Sequence, residues 1–348
     1  MQFVKPETEF FCGVDLHWHN QYVCIVSKGG DKLVHRKLRN DPEIFLKVVS
    51  PYLPSVTVSC ESTGSWYWLA DLCSDHAIPF ALGHVLYMKA IHGAKSKNDK
   101  IDSEKIARLT QSGLLPKAYA HPRELRATRD ALRRRLKYVQ QRSGLMSHIK
   151  CLGAQNNLES CPRGIAVKGA RSAVADRFAD PDDHISVACD VAMIEHYDQA
   201  IADLEAHVMT RTKELRKRDV ALLMTAPGVG RIIALTIVLE MHDIARFATR
   251  QDFASYSRLV RCNHTSNGKV CGTGGSKIGN PYLKWAFCEA AVHAPRGSER
   301  IAKLLDRLER DHGLTKGKVI LAHKLGRAFY FMLKNGTAFD EDRFLTRR

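Results

Sequence analysis

The rhythm of apolar and polar positions changes twice along this chain, near residue 120 and again near residue 220. From Phe10 to about 120 the apolar runs are short and rich in β-formers. "FFCGVDL" and "QYVCIVS" are followed by a Gly-Gly-Asp turn and "KLVHRKL", which predicts an antiparallel meander of strands. Asp41 then Pro42 supply helix-start chemistry ahead of the apolar stripe in "EIFLKVVSPYL". "SVTVSCE" reads as a β-branched strand ending at Glu61, "GSWYWLADLCSDH" as a helix and "IPFALG" as a further strand. Pattern alone makes this region mixed α/β.

Beyond Pro122 the period lengthens. Leu125, Leu132, Val139 and Met146 recur every seven residues, with Leu136 and Ile149 beside them. Later, Ile194, Tyr197, Ile201, Leu204, Val208 and Leu215 keep a similar seam. Both segments predict long amphipathic helices with a coiled-coil stripe, each roughly 35–40 Å long. The Pro, Gly and paired acids of "ESCPRGIAVKGARSAVADRFADPDDH" read as the tip between them, so the helices are expected to return antiparallel. From Val220, "LLMTAPGVGRIIALTIVLEM" is two helical runs hinged at Pro227-Gly228-Val229-Gly230. It resembles a helix-hairpin-helix, in which backbone N–H groups at a glycine turn hold a phosphate without reading bases. That assigns Gly228 and Gly230 to nucleic-acid contact, although P-G-x-G also serves as a plain helix–helix turn. "HTSNGKVCGTGGSKIGNP" reads as a Gly-rich polar stretch, and a largely helical tail follows.

Charge narrows the partner. Lys plus Arg number 53 against 37 Asp plus Glu, a net +16, which points to a polyanion, most often nucleic acid. Lys95, Lys97 and Lys100, then Arg133, Arg134 and Arg135, then Lys269 and Lys277, are the candidate contacts. No apolar run approaches the ~18 residues that span a membrane. The N-terminal residues lack a secretory h-region, so a cytoplasmic, nucleoid-associated protein is expected. The ten cysteines form no C-x-x-C pair and are expected to be reduced, several of them in the core.

Four acids carry the candidate chemistry: Asp15 in "GVDLHWHN", Glu61 in "SCESTG", and Asp99 and Asp102, spaced to share one face at a helix start. Each alone has a dull explanation, as turn former, strand end or N-cap. Together they offer oxygen ligands to hard Mg²⁺, and two such ions can clamp the attacking and leaving oxygens of a phosphodiester. Asp15, His17 and His19 alternate and suggest zinc or iron instead. The remaining acids are all oxygen donors, which favours Mg²⁺ and leaves the roles of His17 and His19 open. Cys262, His264 and Cys271 have no standard zinc spacing.

"GVDLHWHN", "CESTGSWYWLA", "KSKNDKIDSEKIARL", "TAPGVGRIIALTIVLEM" and "GGSKIGNPYLKWAF" occur in this order. In that series the chain resembles the DEDD transposases of the insertion sequence one-ten family, relatives of the Piv/MooV-type DNA invertases. The succession of three strands, a helix, a strand and then alternating helix and strand is also that of an RNase H-like fold. The resemblance implies a RuvC-like (RNase H-like) catalytic domain over 1–120 and coiled-coil helices over 121–219, with a tip insertion near 151–190. A mostly helical transposase domain would fill 220–348. It implies that Asp15, Glu61, Asp99 and Asp102 are the DEDD metal set, holding two Mg²⁺ ions for which Mn²⁺ can substitute. Implied partners are donor and target DNA, a bridge (guide) RNA that pairs with both, and further copies of the chain in a dimer or tetramer. His17, Trp18 and His19 depart from the tetrad common in the family.

The resemblance also implies a catalytic serine, placed at Ser266 in "HTSNGKV", with Ser276 as rival and Thr265 behind it. A serine hydroxyl is a weak nucleophile and needs electrostatic help. The expected function is therefore a transposase or site-specific recombinase acting through Mg²⁺-assisted serine attack and a phosphoserine intermediate, its site assembled between protomers if acids and serine lie in separate domains. The alternatives are a DNA invertase or structure-specific nuclease using metal-activated water, and a non-enzymatic nucleic-acid-binding scaffold.

Overall fold

The apolar runs at the start of the chain fold as β1 (Phe10–Leu16), β2 (Asn20–Ser27) and β3 (Lys32–Arg39). They pair antiparallel, Val14 opposite Val23 and Val23 opposite Arg36. Next come α1 (Pro42–Val49), β4 (Val56–Glu61), α2 (Trp66–Asp75), β5 (Phe80–Gly83), α3 (Val85–Ile91) and α4 (Asp99–Gln111). Asp41 caps α1, accepting from the Glu43 and Ile44 amides, with Pro42 in the first turn, as the sequence predicts. β4 adds parallel to β1 and β5 parallel to β4, giving one mixed sheet of order β3-β2-β1-β4-β5.

β1 is central and covered on both faces, which is why it reads as a nearly unbroken apolar run. Cys12 and Val14 face Phe45 of α1 and Leu69 and Cys73 of α2. Phe11 faces Ala107 of α4, and Thr110 of α4 donates to Ser59 of β4 at 2.9 Å. Cys12, Cys24, Cys60 and Cys73 are buried free thiols. Burial pushes Cys73 up to about 12, so these are inert core residues.

This computed structural model describes residues 2–91, 98–159, 165, 167–260, 262–266, 269–274 and 278–346, with backbone alone at 89–91, 214–215, 262–266, 270 and 272–274. The chain divides into two compact units, 1–123 and 124–348.

The second unit is built on α5 (Arg123–Gln155) and α6 (Pro181–Leu215), of 33 and 35 residues, or about 50 Å each. Arg135 reaches Glu205, Arg142 reaches Asp198, His148 reaches Asp190 and Asn156 reaches Asp183. As one number climbs the other falls, so the helices run antiparallel. Leu125, Leu132, Leu136 and Ile149 on α5, and Ile194, Ile201 and Val208 on α6, are buried, whereas Val139, Met146, Tyr197 and Leu204 of the expected stripe are half-buried. Both helices exceed the expected length. Pro181 and the acids beside it belong to the start of α6 and not to the tip: Asp180 caps the Asp182 and Asp183 amides with Pro181 in the first turn. The tip packs on its own cluster, Ile149, Ile165, Val174, Phe178, Val187 and Ile194. Arg171, 2% exposed, is held there by the Ile165 carbonyl (2.8 Å) and by Asp198 (2.6 Å).

α7 (Lys217–Met224) and α8 (Arg231–Met241) form the predicted hinged pair. α9 (Arg250–Tyr256), β6 (Cys262–Ser266), β7 (Lys269–Gly274), α10 (Pro281–Gly297), α11 (Glu299–His312), α12 (Leu314–Asn335) and α13 (Glu341–Thr346) complete the unit. Leu223, Ile237, Phe253, Phe287, Leu325 and Phe329 centre its core. Leu125 and Leu132 of α5 pack with Leu235 and Leu239 of α8, so the base of the long hairpin is part of this body. The stretch read as a polar loop holds a two-stranded antiparallel sheet, Ser266 paired with Lys269. Asn267-Gly268 between them was the legible hairpin signal.

Candidate active site

β1 and β4 run parallel with Val14 opposite Cys60. The next residues, Asp15 and Glu61, therefore emerge side by side at the carboxyl ends of neighbouring strands, on one face. α4 lies across that face. Its N-cap is Asn98, whose side chain accepts from the Lys100 amide at 3.0 Å, so capping explains neither Asp99 nor Asp102. Close packing brings α4 in: a Cβ on Gly13 would stand 2.2 Å from the Ser103 carbonyl oxygen and 2.3 Å from the Ala107 nitrogen. Gly13 is glycine because helix backbone occupies the side-chain position.

Asp15 is 7% exposed. Its pKa is raised to about 6, first by burial and then by the charges of Glu61, Asp99 and Asp102, with His17 pulling the other way. Asp102 accepts from Lys105 Nζ at 3.1 Å, and Glu61 accepts from the Thr63 hydroxyl. β1 ends at Leu16, so the alternation stops before His19. The His17 amide donates to the Asn20 carbonyl at 2.9 Å, and Asn40 Nδ2 donates to the His17 carbonyl at 2.7 Å. This pinned turn leaves Trp18 83% exposed with the His19 ring beside it.

His17 stays on the face of Asp15. Its Nε2 lies 3.3 Å from Asp15 Oδ2 and 3.2 Å from Asp99 Oδ2. One ligand atom from each of these three residues lies within 4.8 Å of the others, the only such cluster of His, Cys and acidic groups among the described residues. Of the four predicted acids, Asp15 and Asp99 are thus drawn tightly together, and Glu61 and Asp102 form the surrounding charge that Asp15 feels. The set gathers more negative charge than His17 offsets, and its donors are mostly carboxylate oxygens. It fits a divalent cation.

A transposase family model of the DEDD type, named for IS110, matches residues 12–152, a span that holds all four acids. A second, described as the transposase IS116/IS110/IS902 family, matches residues 220–305. Over both spans the chain is similar to transposases of the IS110/IS116 family. It is 24% identical to the transposase for insertion sequence element IS1328 of Yersinia enterocolitica, over 94% of this chain and 98% of that protein. It is 22% identical to the transposase for IS1111A of Coxiella burnetii, over 90% and 86%. A probable family 20 transposase of Pseudomonas aeruginosa is 22% identical over 82% and 86%. The DEDD-type match implies an RNase H-like fold for the mixed sheet and use of a divalent metal, typically Mg²⁺. No described helix is long and apolar enough to cross a membrane.

The remaining predicted contacts divide. Lys100, Arg134 and Lys269 are exposed. Arg133 and Arg135 are not the free surface charges expected. Arg133 makes a two-pronged bond to Glu240 at 2.5 and 2.7 Å and stacks over the Tyr282 ring, and Arg135 bonds Glu205 at 2.7 Å. Glu240, 1% exposed, also accepts from Asn280 Nδ2 at 2.7 Å, while Asn280 Oδ1 caps α10. Burial lowers the Arg133 pKa, but Glu240 outweighs it and the net direction is up. The signal missed was a lone acid inside the apolar "IIALTIVLEM", which needs a buried cation.

Gly228 has φ +77° and packs so closely on α10 that a Cβ would stand 2.2 Å from the Ala294 nitrogen. Its glycine is demanded by helix packing, and the residue also lines a groove beside the α8 N-terminus. A Cβ on Gly230 would meet open space. Gly230 precedes Arg231 at the α8 N-terminus, on a groove of about 860 Å³ that Trp285 and His293 also line. Lys95, Lys97, Lys277 and the rival Ser276 lie outside the described residues. So do the side chains of Thr265, Ser266, Cys262 and His264, whose backbone lies in β6; Cys271 is exposed on β7.

Proposed function

We propose that this chain cuts and rejoins DNA as the recombinase of an insertion sequence. In this reading Asp15, Glu61, Asp99 and Asp102 hold two divalent ions, Mg²⁺ or Mn²⁺, and Ser266 is the nucleophile. The observation that carries the reading is the convergence of Asp15 and Asp99, from a strand end and a helix start, around a buried carboxylate with raised pKa. Bound metal would neutralise charge developing on the phosphate. The protein's share is to place the acids on a rigid sheet and helix and to supply the serine. Attack by Ser266 Oγ forms an O–P bond as the P–O bond to one deoxyribose breaks. The serine proton is released and the departing sugar oxygen takes one up. Reversal with a different sugar hydroxyl rejoins the strand without ATP.

The finer parts of the reading follow the family resemblance. A bridge RNA supplies sequence recognition, the chain works as a dimer or tetramer, and the three segments 1–120, 121–219 and 220–348 act as catalytic domain, helical spacer and serine-bearing domain. The net charge of +16 suits a protein that holds RNA and DNA together. Exposed Lys100, Arg134 and Lys269, with the open turn at Gly230, are the backbone contacts favoured. A metal-activated water is the competing nucleophile, since DEDD-type carboxylates serve either chemistry.

A nicked DNA carrying the element junction, incubated with its RNA, separates these. Wild type should leave a DNA–protein adduct that survives denaturing electrophoresis, and Ser266→Ala should leave neither adduct nor cut strand. Asp99→Ala with Asp102→Ala should lose both while keeping the fold. Cutting by Ser266→Ala would assign the attack to water, and an adduct lost only in Ser276→Ala would move the nucleophile to Ser276.

A further inference from the structure

Resting on the reading of the acids as a divalent-metal site, we propose that His17 is a ligand of that site, its Nε2 binding the ion that Asp15 and Asp99 share. The chain then presents an N,O,O ligand set at this position where the four acids alone would present oxygen only.

Without an ion His17 bridges the two carboxylates, and the same spacing suits a ligand. His17 Nε2 is nearly equidistant from the two carboxylate oxygens, 3.3 Å from Asp15 Oδ2 and 3.2 Å from Asp99 Oδ2. Adjacent ligands on an octahedral ion with ~2.1 Å bonds stand about 3.0 Å apart, and those on a tetrahedral ion with ~2.0 Å bonds about 3.3 Å. Both spacings from His17 therefore match those of neighbouring ligands on one ion, and the two carboxylate oxygens lie within 4.8 Å of each other. The backbone that carries the imidazole is also held in place. The turn at His17 is closed by its own amide on Asn20 and by Asn40 on its carbonyl, which pre-pays part of the cost of ordering the ring. Its neighbour His19 lacks this placement, because the turn carries it off the face of β1.

Imidazole nitrogen discriminates among ions. Mg²⁺ takes oxygen ligands, whereas affinity for a site containing nitrogen climbs from Mn²⁺ towards Co²⁺ and beyond. His17 should therefore raise the preference of the site for Co²⁺ over Mg²⁺ without being needed for carboxylate binding itself.

Pulsed electron paramagnetic resonance on the full-length protein with Mn²⁺, and calorimetric titration with Co²⁺ and Mg²⁺, test this, with Asp15→Asn setting the background. Wild type and His19→Ala should show ¹⁴N modulation on the bound Mn²⁺, and His17→Ala should not. His17→Ala should weaken Co²⁺ binding by about tenfold or more and Mg²⁺ binding by less than about threefold. His17 is half-exposed in a turn, so the variant should keep its circular dichroism and melting temperature. Persistent ¹⁴N modulation in His17→Ala, or none in Mn²⁺-loaded wild type, overturns the proposal while leaving the acidic site standing. Tighter binding of both ions by His17→Ala also overturns it, since that marks a histidine merely occupying the place of the ion. If wild type binds no Mn²⁺ above background, the metal-site reading falls and this proposal with it.

Discussion

Asp15 is a carboxylate held where ionisation is costly. Its pKa is raised to about 6 against an ordinary value of 3.8. Below about pH 4 the group is protonated whether folded or unfolded and costs nothing. Between about 4 and 6 the folded state retains a proton that the unfolded chain has lost, so the stability of the metal-free protein falls as pH rises. Above 6 the full cost applies. Asp15→Asn should therefore stabilise the metal-free protein at pH 7 by about 1–2 kcal/mol, after allowance for solvent near the carboxylate, and change nothing at pH 4. Urea denaturation in chelator at both values checks this, and equal effects at both would refute it. The residue itself was legible in the sequence as a strand-borne acid. Its partner His17 was half-legible: the Asp-x-His alternation was visible, but Asp99 reaches that face only by folding.

α4 shows how an element carries a site. It brings Asp99 and Asp102 to β1 because Gly13 leaves no side chain between strand and helix. Gly13→Ala must push the Ser103–Ala107 turn outward, and overpacking of this kind costs about 1–3 kcal/mol. We expect a lower melting temperature with native circular dichroism, and Mn²⁺ affinity reduced more than stability would suggest, because two acids of the proposed metal site move with the helix. Wild-type Mn²⁺ affinity in a destabilised Gly13→Ala protein would sever packing from the site. The long helices were legible from their seam. Their lengths were misjudged because Pro181 and its neighbouring acids serve a helix start as readily as a loop. The β6–β7 pair was overlooked although Asn-Gly announced it.

The whole chain carries +16, yet its arginines are not equivalent. Arg134 is exposed, while Arg133 is committed to buried Glu240. Arg134→Ala should weaken DNA binding across sequences and lower the slope of log affinity against log salt by about 1, with no change in melting temperature. Arg133→Ala should leave that slope nearly intact and destabilise the protein, because it strands the Glu240 charge. Titrations of both variants at several salt concentrations, with thermal melts, check the contrast. An unchanged slope in Arg134→Ala would remove that face from the DNA path.

The strands and helices of the first unit, the capped start of α1, the hinge between α7 and α8 and the order of the motifs were determined by the sequence itself. These depend on spacing over a few residues, where periodicity and turn chemistry act directly. Tertiary structure alone decided that His17 joins Asp15 and Asp99, that Arg133 belongs to Glu240 and that Gly228 yields to α10. Each depends on a contact between residues remote in the chain, Asp99 in the case of His17. Backbone packing and the need to pair buried charge select such contacts, and no local pattern records them.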